Sequence, residues 1–236
     1  MQLILGTAQI GLNYGIMNKN DKPTIEDSLK IIDMCIKNKI EEFDTAHVYG
    51  DSEYILGIAK KQYKNIKIIT KLPHMELSPI VSSNERYLLT NQHNEKIKQY
   101  INSMKKNLDC EQIDVLLLHD FINYLNPIIW NNLLNFQKEG SIKYLGCSIY
   151  YVDQAKLLLK NKNIKYIQLP FNILSDQWFD DEFLKLLKKR TDVKIHIRSI
   201  FLQGLLISDI ENLPNLPSTI TDTLSEDPDE NYKYLT

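Results

Sequence analysis

Arginine is scarce in this chain. It stands only at positions 86, 190 and 198, and together with lysine it makes 28 basic residues against 30 acids, a net charge of −2. The lysines are scattered among acids on helix faces, as on solvated surfaces, so no electrostatic footprint points to nucleic acid or an anionic membrane. Cysteine is equally sparse. Cys35, Cys110 and Cys147 lie far apart without metal-ligand spacing, which argues against a disulfide framework or a zinc site and suits a reducing compartment. Cys147, inside an apolar run, reads as a buried inert thiol. No apolar run approaches the ~20 residues that span a bilayer. Met1 to Gly6 carries neither the basic segment nor the long apolar stretch of a signal peptide. The expected location is therefore cytoplasmic. No internal repeat is present, and no Gly-x-Gly-x-x-Gly follows the first apolar run, which weakens an open dinucleotide-binding sheet.

What is present is ordinary in composition and regular in order. The 236 residues, 43% hydrophobic and 25% charged, can bury one sizeable core. Short apolar runs fall at 3–8, 42–46, 66–72, 113–119, 143–149, 166–171 and 194–200. Most are continuous rather than alternating, as in parallel strands buried on both faces. Amphipathic stretches separate them: Ile25, Leu29, Ile32, Ile36 and Ile40 step by four and three behind a Thr24/Asp27 capping box, and Ile97, Ile101, Met104 and Leu108 repeat the step. Further helices are expected from Asp51, as cap, through Tyr63, and over 129–136 and 181–190. Such alternation predicts a parallel α/β fold, either a closed barrel or a doubly wound sheet. In both, active groups gather at strand C-termini.

Those ends carry polar signatures. The first run closes in Gly6-Thr7-Ala8-Gln9, and the second in Asp44-Thr45-Ala46 with Tyr49-Gly50-Asp51-Ser52-Glu53 behind it. The third ends in Thr70-Lys71, and the fourth opens with Ile113-Asp114 and ends at His119. The fifth contains Gly146-Cys147-Ser148, the sixth Gln168-Leu169-Pro170-Phe171-Asn172, and the seventh Arg198-Ser199 before Gln203-Gly204-Leu205-Leu206. Each piece is weak alone. Six in order, each at a strand end, resemble the aldo-keto reductases from about Leu3 to Leu206.

The resemblance implies a TIM-type (β/α) barrel and a catalytic tetrad of Asp44, Tyr49, Lys71 and His119. The chemistry of these side chains agrees. Hydride reduction of a carbonyl leaves an alkoxide that needs a proton, and Tyr49 can supply it. A free phenol has a pKa near ~10, so a nearby Lys71 ammonium is expected to lower it, with Asp44 holding Lys71 and His119 orienting the carbonyl oxygen. The hydride must come from NADPH or NADH, since no side chain can donate one. For that cofactor the resemblance implies Thr7, Asp44, Ser148, Gln168, Arg198 and Ser199. Singly, each tetrad member has a plain structural role open to it, as turn cap, rim aromatic, strand-end lysine or satisfied histidine.

The chain also departs from the family pattern. Ile149 stands where many members carry Asn, and Arg198 where many place a Tyr that stacks on the nicotinamide. An arginine plane can also stack, or grip a substrate or cofactor phosphate. After Leu206 no apolar run makes a strand, and Asp222, Glu226, Asp227, Asp229 and Glu230 face only Lys233. The expected organisation is thus a barrel over 1–206 with its eighth unit missing or degenerate, followed by a divergent acidic segment over 207–236 of the same domain. A family phosphate clamp is absent from that segment, so weakened cofactor binding with little preference between NADPH and NADH is expected. An open edge is expected between the first and seventh strands, to be covered either by the residues after Leu206 or by a second subunit. The leading reading is a reductase of a small aldehyde, ketone or keto-sugar. Its rivals are a non-catalytic ligand- or partner-binding relative, and a barrel enzyme using Lys71 as a Schiff-base amine.

Overall fold

In a computed structural model, residues 2–18, 20–75 and 83–208 are described, apart from the side chains of residues 83–91. The chain runs β1 (Leu5–Gly6), α1 (Ala8–Gly11), α2 (Ile25–Lys37), β2 (Glu42–Asp44), α3 (Ser52–Gln62), β3 (Lys67–Leu72) and α4 (Ser83–Asn107). It continues through β4 (Ile113–Leu118), α5 (Phe121–Tyr124), α6 (Pro127–Lys138), β5 (Ile142–Ser148), α7 (Val152–Leu159), β6 (Ile164–Pro170), α8 (Asp181–Lys189) and β7 (Lys194–Arg198). All the apolar runs are strands. The order in the sheet is simply β1 to β7, every neighbouring pair parallel. A doubly wound sheet reverses its strand order at a switch point; here there is no reversal, so the architecture is of the barrel type.

The sheet curls until its two halves face each other. Gln168 on β6 reaches across to Asp44 on β2 at 2.8 Å, and Lys67 on β3 to the Tyr166 hydroxyl on β6 at 2.5 Å. Among the described residues β1 pairs only with β2 and β7 only with β6, leaving a seven-stranded, incompletely closed barrel. At its upper rim the loop after β1 and the turn after β7 are joined by the Ile16 N–H donating to Gln203 Oε1 at 3.2 Å.

Side chains alternate across each strand, and that alternation sorts the core. Outward residues Phe43 and Ile68 pack on Ile32 of α2 and on Ile55 and Leu56 of α3. Leu72, Leu116, Leu145, Cys147, Ile167 and Leu169 pack on the remaining helices. Burying each such aliphatic side chain is worth about 1.5–3 kcal/mol. Inward, a small apolar layer of Ile69, Val115, Leu117 and Tyr166 fills the middle of the barrel. The residues one step further along the same inward rows are Asp44, Lys71, His119, Ser148, Gln168 and Arg198. The rows that build the interior thus also aim the polar set at the C-terminal mouth.

Local expectations meet two corrections. Asp51 occupies the position before α3 but makes no capping bond; its carboxylate pairs instead with Lys22 Nζ at 2.5 Å. The helix α7 was not foreseen, although Ala155, Leu158 and Leu159 are buried in it, because eight residues give too short a stripe to separate from a loop. The Thr24 cap is present, accepting from the Asp27 N–H at 3.1 Å. Cys147 is fully buried and burial pushes its thiol up, as an inert core cysteine requires. Residues 209–236, with all the acids of the expected tail segment, lie outside the described residues. Among the described residues no helix is long and apolar enough to cross a membrane, and no group of ligating side chains could hold a metal.

Candidate active site

Asp44 ends β2 and is the junction of the site. Its Oδ2 accepts from Lys71 Nζ at 2.8 Å and its Oδ1 from Gln168 Nε2 at 2.8 Å. Lys71, only 1% exposed, also donates to the Thr45 carbonyl at 2.7 Å. Two of the three ammonium donors are thereby used. The Lys71 nitrogen lies 5.2 Å from the centre of the Tyr49 ring, and the Tyr49 and His119 rings meet edge to face at 6.0 Å. The four residues expected to converge do converge.

Tyr49 sits on a loop, so its position must be made by the backbone. The loop lies directly against α1: a Cβ on Gly11 would fall 1.7 Å from the Tyr49 carbonyl oxygen, and one on Gly50 2.4 Å from the Gly11 carbonyl oxygen. Gly50 also has φ +51°, a left-handed conformation that costs glycine nothing. Next to it a relay of buried hydroxyls ties three segments together. Thr45 Oγ1 donates to Ser52 Oγ at 2.8 Å, Ser52 to Thr7 Oγ1 at 2.7 Å, and Thr7 to the Asp44 carbonyl at 2.9 Å. Glu53, also 1% exposed, accepts from Thr70 Oγ1 at 2.6 Å and Asn107 Nδ2 at 3.2 Å, with a His47 ring nitrogen at 2.8 Å. The Ser-Glu pair of the Tyr-Gly-x-Ser-Glu stretch is therefore a brace under Tyr49. Its positioning role was invisible in the sequence because the partners come from β1, β3 and α4.

The electrostatics differ from the expectation in one respect. The Tyr49 hydroxyl is pushed up to about 12, first by burial and then by the Asp44 carboxylate. The cation whose charge acts downward on it is Arg198, not Lys71. Lys71 itself is ion-paired to Asp44, and its own pKa is lowered by burial. His119 is pulled down to about 4, by burial first and the Lys71 charge second. At neutral pH the site thus holds a protonated phenol and an uncharged imidazole.

Asp44, Tyr49 and His119 open into one cavity of about 830 Å³ at the barrel mouth, reached also by Thr7, Ser148, Gln168, Arg198 and Ser199. That volume suits a ligand of drug size. Gln168 is the informative member. Because a carboxylate only accepts, its amide nitrogen must face Asp44, which leaves Oε1 buried and without a hydrogen-bond partner. A buried unpaired acceptor costs about 1–3 kcal/mol, so the atom awaits a donor. The nicotinamide carboxamide has one, and Ser148 lies beside it on the paired strand. The residues present therefore fit that group. The Thr7 hydroxyl, expected at the cofactor, is engaged in the relay. Ser199, Leu202 and Gln203 have φ of 61°, 45° and 58°, a left-handed run rare outside glycine and typical of ligand-holding turns. Tyr14 and Tyr150, close enough to act on the Tyr49 charge, had no signal in the sequence beyond being aromatic residues in strand-end loops.

Comparison with known proteins gives the same picture. Three solved structures illustrate the fold. An aldo-keto reductase of Pseudomonas aeruginosa aligns at TM-score 0.64 and 17% identity, over 89% of this chain and 74% of that one. An aldo-keto reductase of Bacillus halodurans in its holo form aligns at 0.68 and 23%, over 91% and 66%. A glycerol dehydrogenase of Gluconobacter oxydans aligns at 0.65 and 23%, over 95% and 67%. This chain thus spans about two thirds to three quarters of those chains. No curated protein gives a significant match. The sequence profile that does match describes the aldo/keto reductases and covers residues 2–234, well past Leu206. On that match, and on a barrel that gathers its polar strand ends around one cavity, the chain belongs to the aldo/keto reductase family.

Proposed function

We propose that this protein reduces a small aldehyde, ketone or keto-sugar to the alcohol, with Tyr49 as proton donor and NADPH or NADH as reductant. The observation that carries the reading is the convergence of Asp44, Tyr49 and His119 beside the unpaired Gln168 Oε1 in one cavity, with Lys71 buried behind them against Asp44. When bound, the nicotinamide would supply the hydride, which no side chain can. Gln168 Oε1 and Ser148 would hold its carboxamide, and Ser199 would lie toward its phosphates.

The carbonyl oxygen would sit between the Tyr49 hydroxyl and the neutral His119, which can still donate one N–H. As charge builds on that oxygen the phenol gives up its proton. A hydroxyl near 12 is a reluctant acid toward water, yet an alkoxide is more basic than any phenolate, so the transfer runs downhill. Because burial keeps Tyr49 protonated across the neutral range, the donor is loaded before substrate arrives. Asp44 holds the Lys71 nitrogen 5.2 Å from the centre of the Tyr49 ring, from where its positive charge would stabilise the phenolate left behind. Two donors aimed at the developing oxyanion are the usual source of such rate enhancement. The Schiff-base reading is disfavoured, since the Lys71 amine is buried, ion-paired and not on the cavity wall.

The test is Tyr49→Phe, assayed by aldehyde-dependent oxidation of NADH and NADPH. Losing the acid should cost about 10²–10⁴ in kcat, with cofactor affinity by calorimetry nearly unchanged. Parental turnover in the variant would refute the role of Tyr49. Failure of the parent protein to bind either cofactor would favour a non-catalytic relative.

A further inference from the structure

Arg198 is the one guanidinium in the cavity, and its surroundings are unusual for a charged group. It lies 4.4 Å over the ring of Tyr150. Its hydrogen bonds are long and reach neutral acceptors, Ser199 Oγ at 3.4 Å and the Ile149 carbonyl at 3.3 Å. No carboxylate among the described residues is ion-paired to it. The contrast with Arg190 is sharp, since that side chain grips Asp192 through Nε at 2.8 Å and Nη2 at 3.1 Å. Among the described residues the one acid lining the cavity is Asp44, and both of its oxygens are already held by Lys71 and Gln168. Arg198 also acts on the charge states of Tyr49, Lys71 and His119, so it sits near the reacting groups. The guanidinium thus lies at the cavity over Tyr150, with two long hydrogen bonds to neutral acceptors and, among the described residues, no carboxylate paired to it.

Resting on the reductase reading above, we propose that Arg198 is a specificity-determining residue that binds an anionic group, a carboxylate, on the carbonyl substrate. A guanidinium resting over an aromatic ring can present its forked N–H donors to a carboxylate at little further cost in side-chain entropy. The substrate class is then an aldehyde or ketone that also bears a carboxylate. With its oxygen between Tyr49 and His119, such a molecule would turn its carboxylate to Arg198. The same guanidinium could instead meet a phosphate of the cofactor, and the experiment separates the two sources.

Three measurements on the full chain and on Arg198→Gln suffice. The first is the ratio of kcat/KM for 4-carboxybenzaldehyde over that for benzaldehyde. A charged hydrogen-bond pair corresponds to roughly 10- to 150-fold in such a ratio. The parent should favour the carboxylate by that factor, and the variant ratio should fall to near unity, mostly through KM. The second is calorimetric binding of terephthalate, which needs no turnover. The parent should bind it and Arg198→Gln should lose at least tenfold in affinity, so the inference can be judged even if neither aldehyde is reduced. The third is the dissociation constant for NADH and NADPH. If the variant weakens both cofactors while the aldehyde ratio is unchanged, the anion is the cofactor phosphate and the proposal is overturned. It is equally overturned if the parent neither prefers the carboxylated aldehyde nor binds terephthalate.

Discussion

Replacing Asp44 by Asn tests the electrostatic centre of the molecule with almost no change of shape. Asn keeps an oxygen toward Gln168 but removes the counter-charge from Lys71, whose ammonium is 1% exposed and 2.8 Å from the lost oxygen. Removing one partner of a buried pair costs about 3–5 kcal/mol, because the remaining charge is left unmatched in a poor solvent. With a urea m-value near 3 kcal/mol/M, the unfolding midpoint should drop by about 1–2 M at neutral pH. The pH dependence identifies the cause. In the folded protein Lys71 is lowered from the ordinary 10.5, chiefly by burial and against the pull of Asp44. Without Asp44 it is lowered further, so the variant sheds that proton at a lower pH than the parent does. A depressed lysine means that the unfolded chain binds the extra proton, and stability therefore rises with pH through that window. The gap between variant and parent should narrow as pH rises from neutral toward the ordinary lysine value of 10.5. Urea titrations followed by circular dichroism at several pH values measure it directly. An unchanged midpoint, or a gap constant with pH, would refute an uncompensated Lys71 charge as the cause.

Two further outcomes follow from the geometry. Gly11→Ala should drive the Tyr49 loop away from α1, because the added carbon would meet the Tyr49 carbonyl oxygen at 1.7 Å; a displacement of this size costs about 10²-fold in turnover, while the far-ultraviolet spectrum keeps its native shape. His119 sits near 4 against an ordinary 6.5, so its share of stability is full above about 6.5 and is lost as pH falls toward 4. Proton titration of its ring by NMR should show no charging between pH 5.5 and 8, outside the range in which a histidine near 4 changes state, and a midpoint near the free value would contradict the buried setting.

How much of this was readable beforehand depends on whether a property belongs to a row of residues or to a place in space. The strands were legible because buried parallel strands are apolar throughout, and the site was legible because polar residues interrupt those runs where the chain leaves the sheet. Asp44, Lys71, Ser148, Gln168 and Arg198 all carry that signal. Tyr49 does not, and was found only through the resemblance; what holds it is the contact between Gly11 and Gly50, thirty-nine positions apart in the chain. The brace by Ser52 and Glu53 was hidden for the same reason. The choice between a barrel and a doubly wound sheet depended on strand order, which periodicity does not contain.

Charge states were the least legible of all, and the case of Tyr49 shows why. A lysine beside a tyrosine is a sound reason to expect a lowered phenol, and the lysine is indeed there, 5.2 Å from the ring. But burial is the first cause acting on that hydroxyl, and it pushes the other way. Asp44 matches Lys71 at 2.8 Å, and the carboxylate that holds the lysine in place also opposes loss of the phenol proton. The cation that pulls the hydroxyl down is Arg198, on the cavity wall. An anionic substrate bound there would neutralise the one charge that lowers the Tyr49 hydroxyl, raising the pKa of the donor while positioning the carbonyl. Binding and acidity would then pull in opposite directions at this site, so kcat for a carboxylated aldehyde should not exceed that for a neutral one even where its KM is far lower.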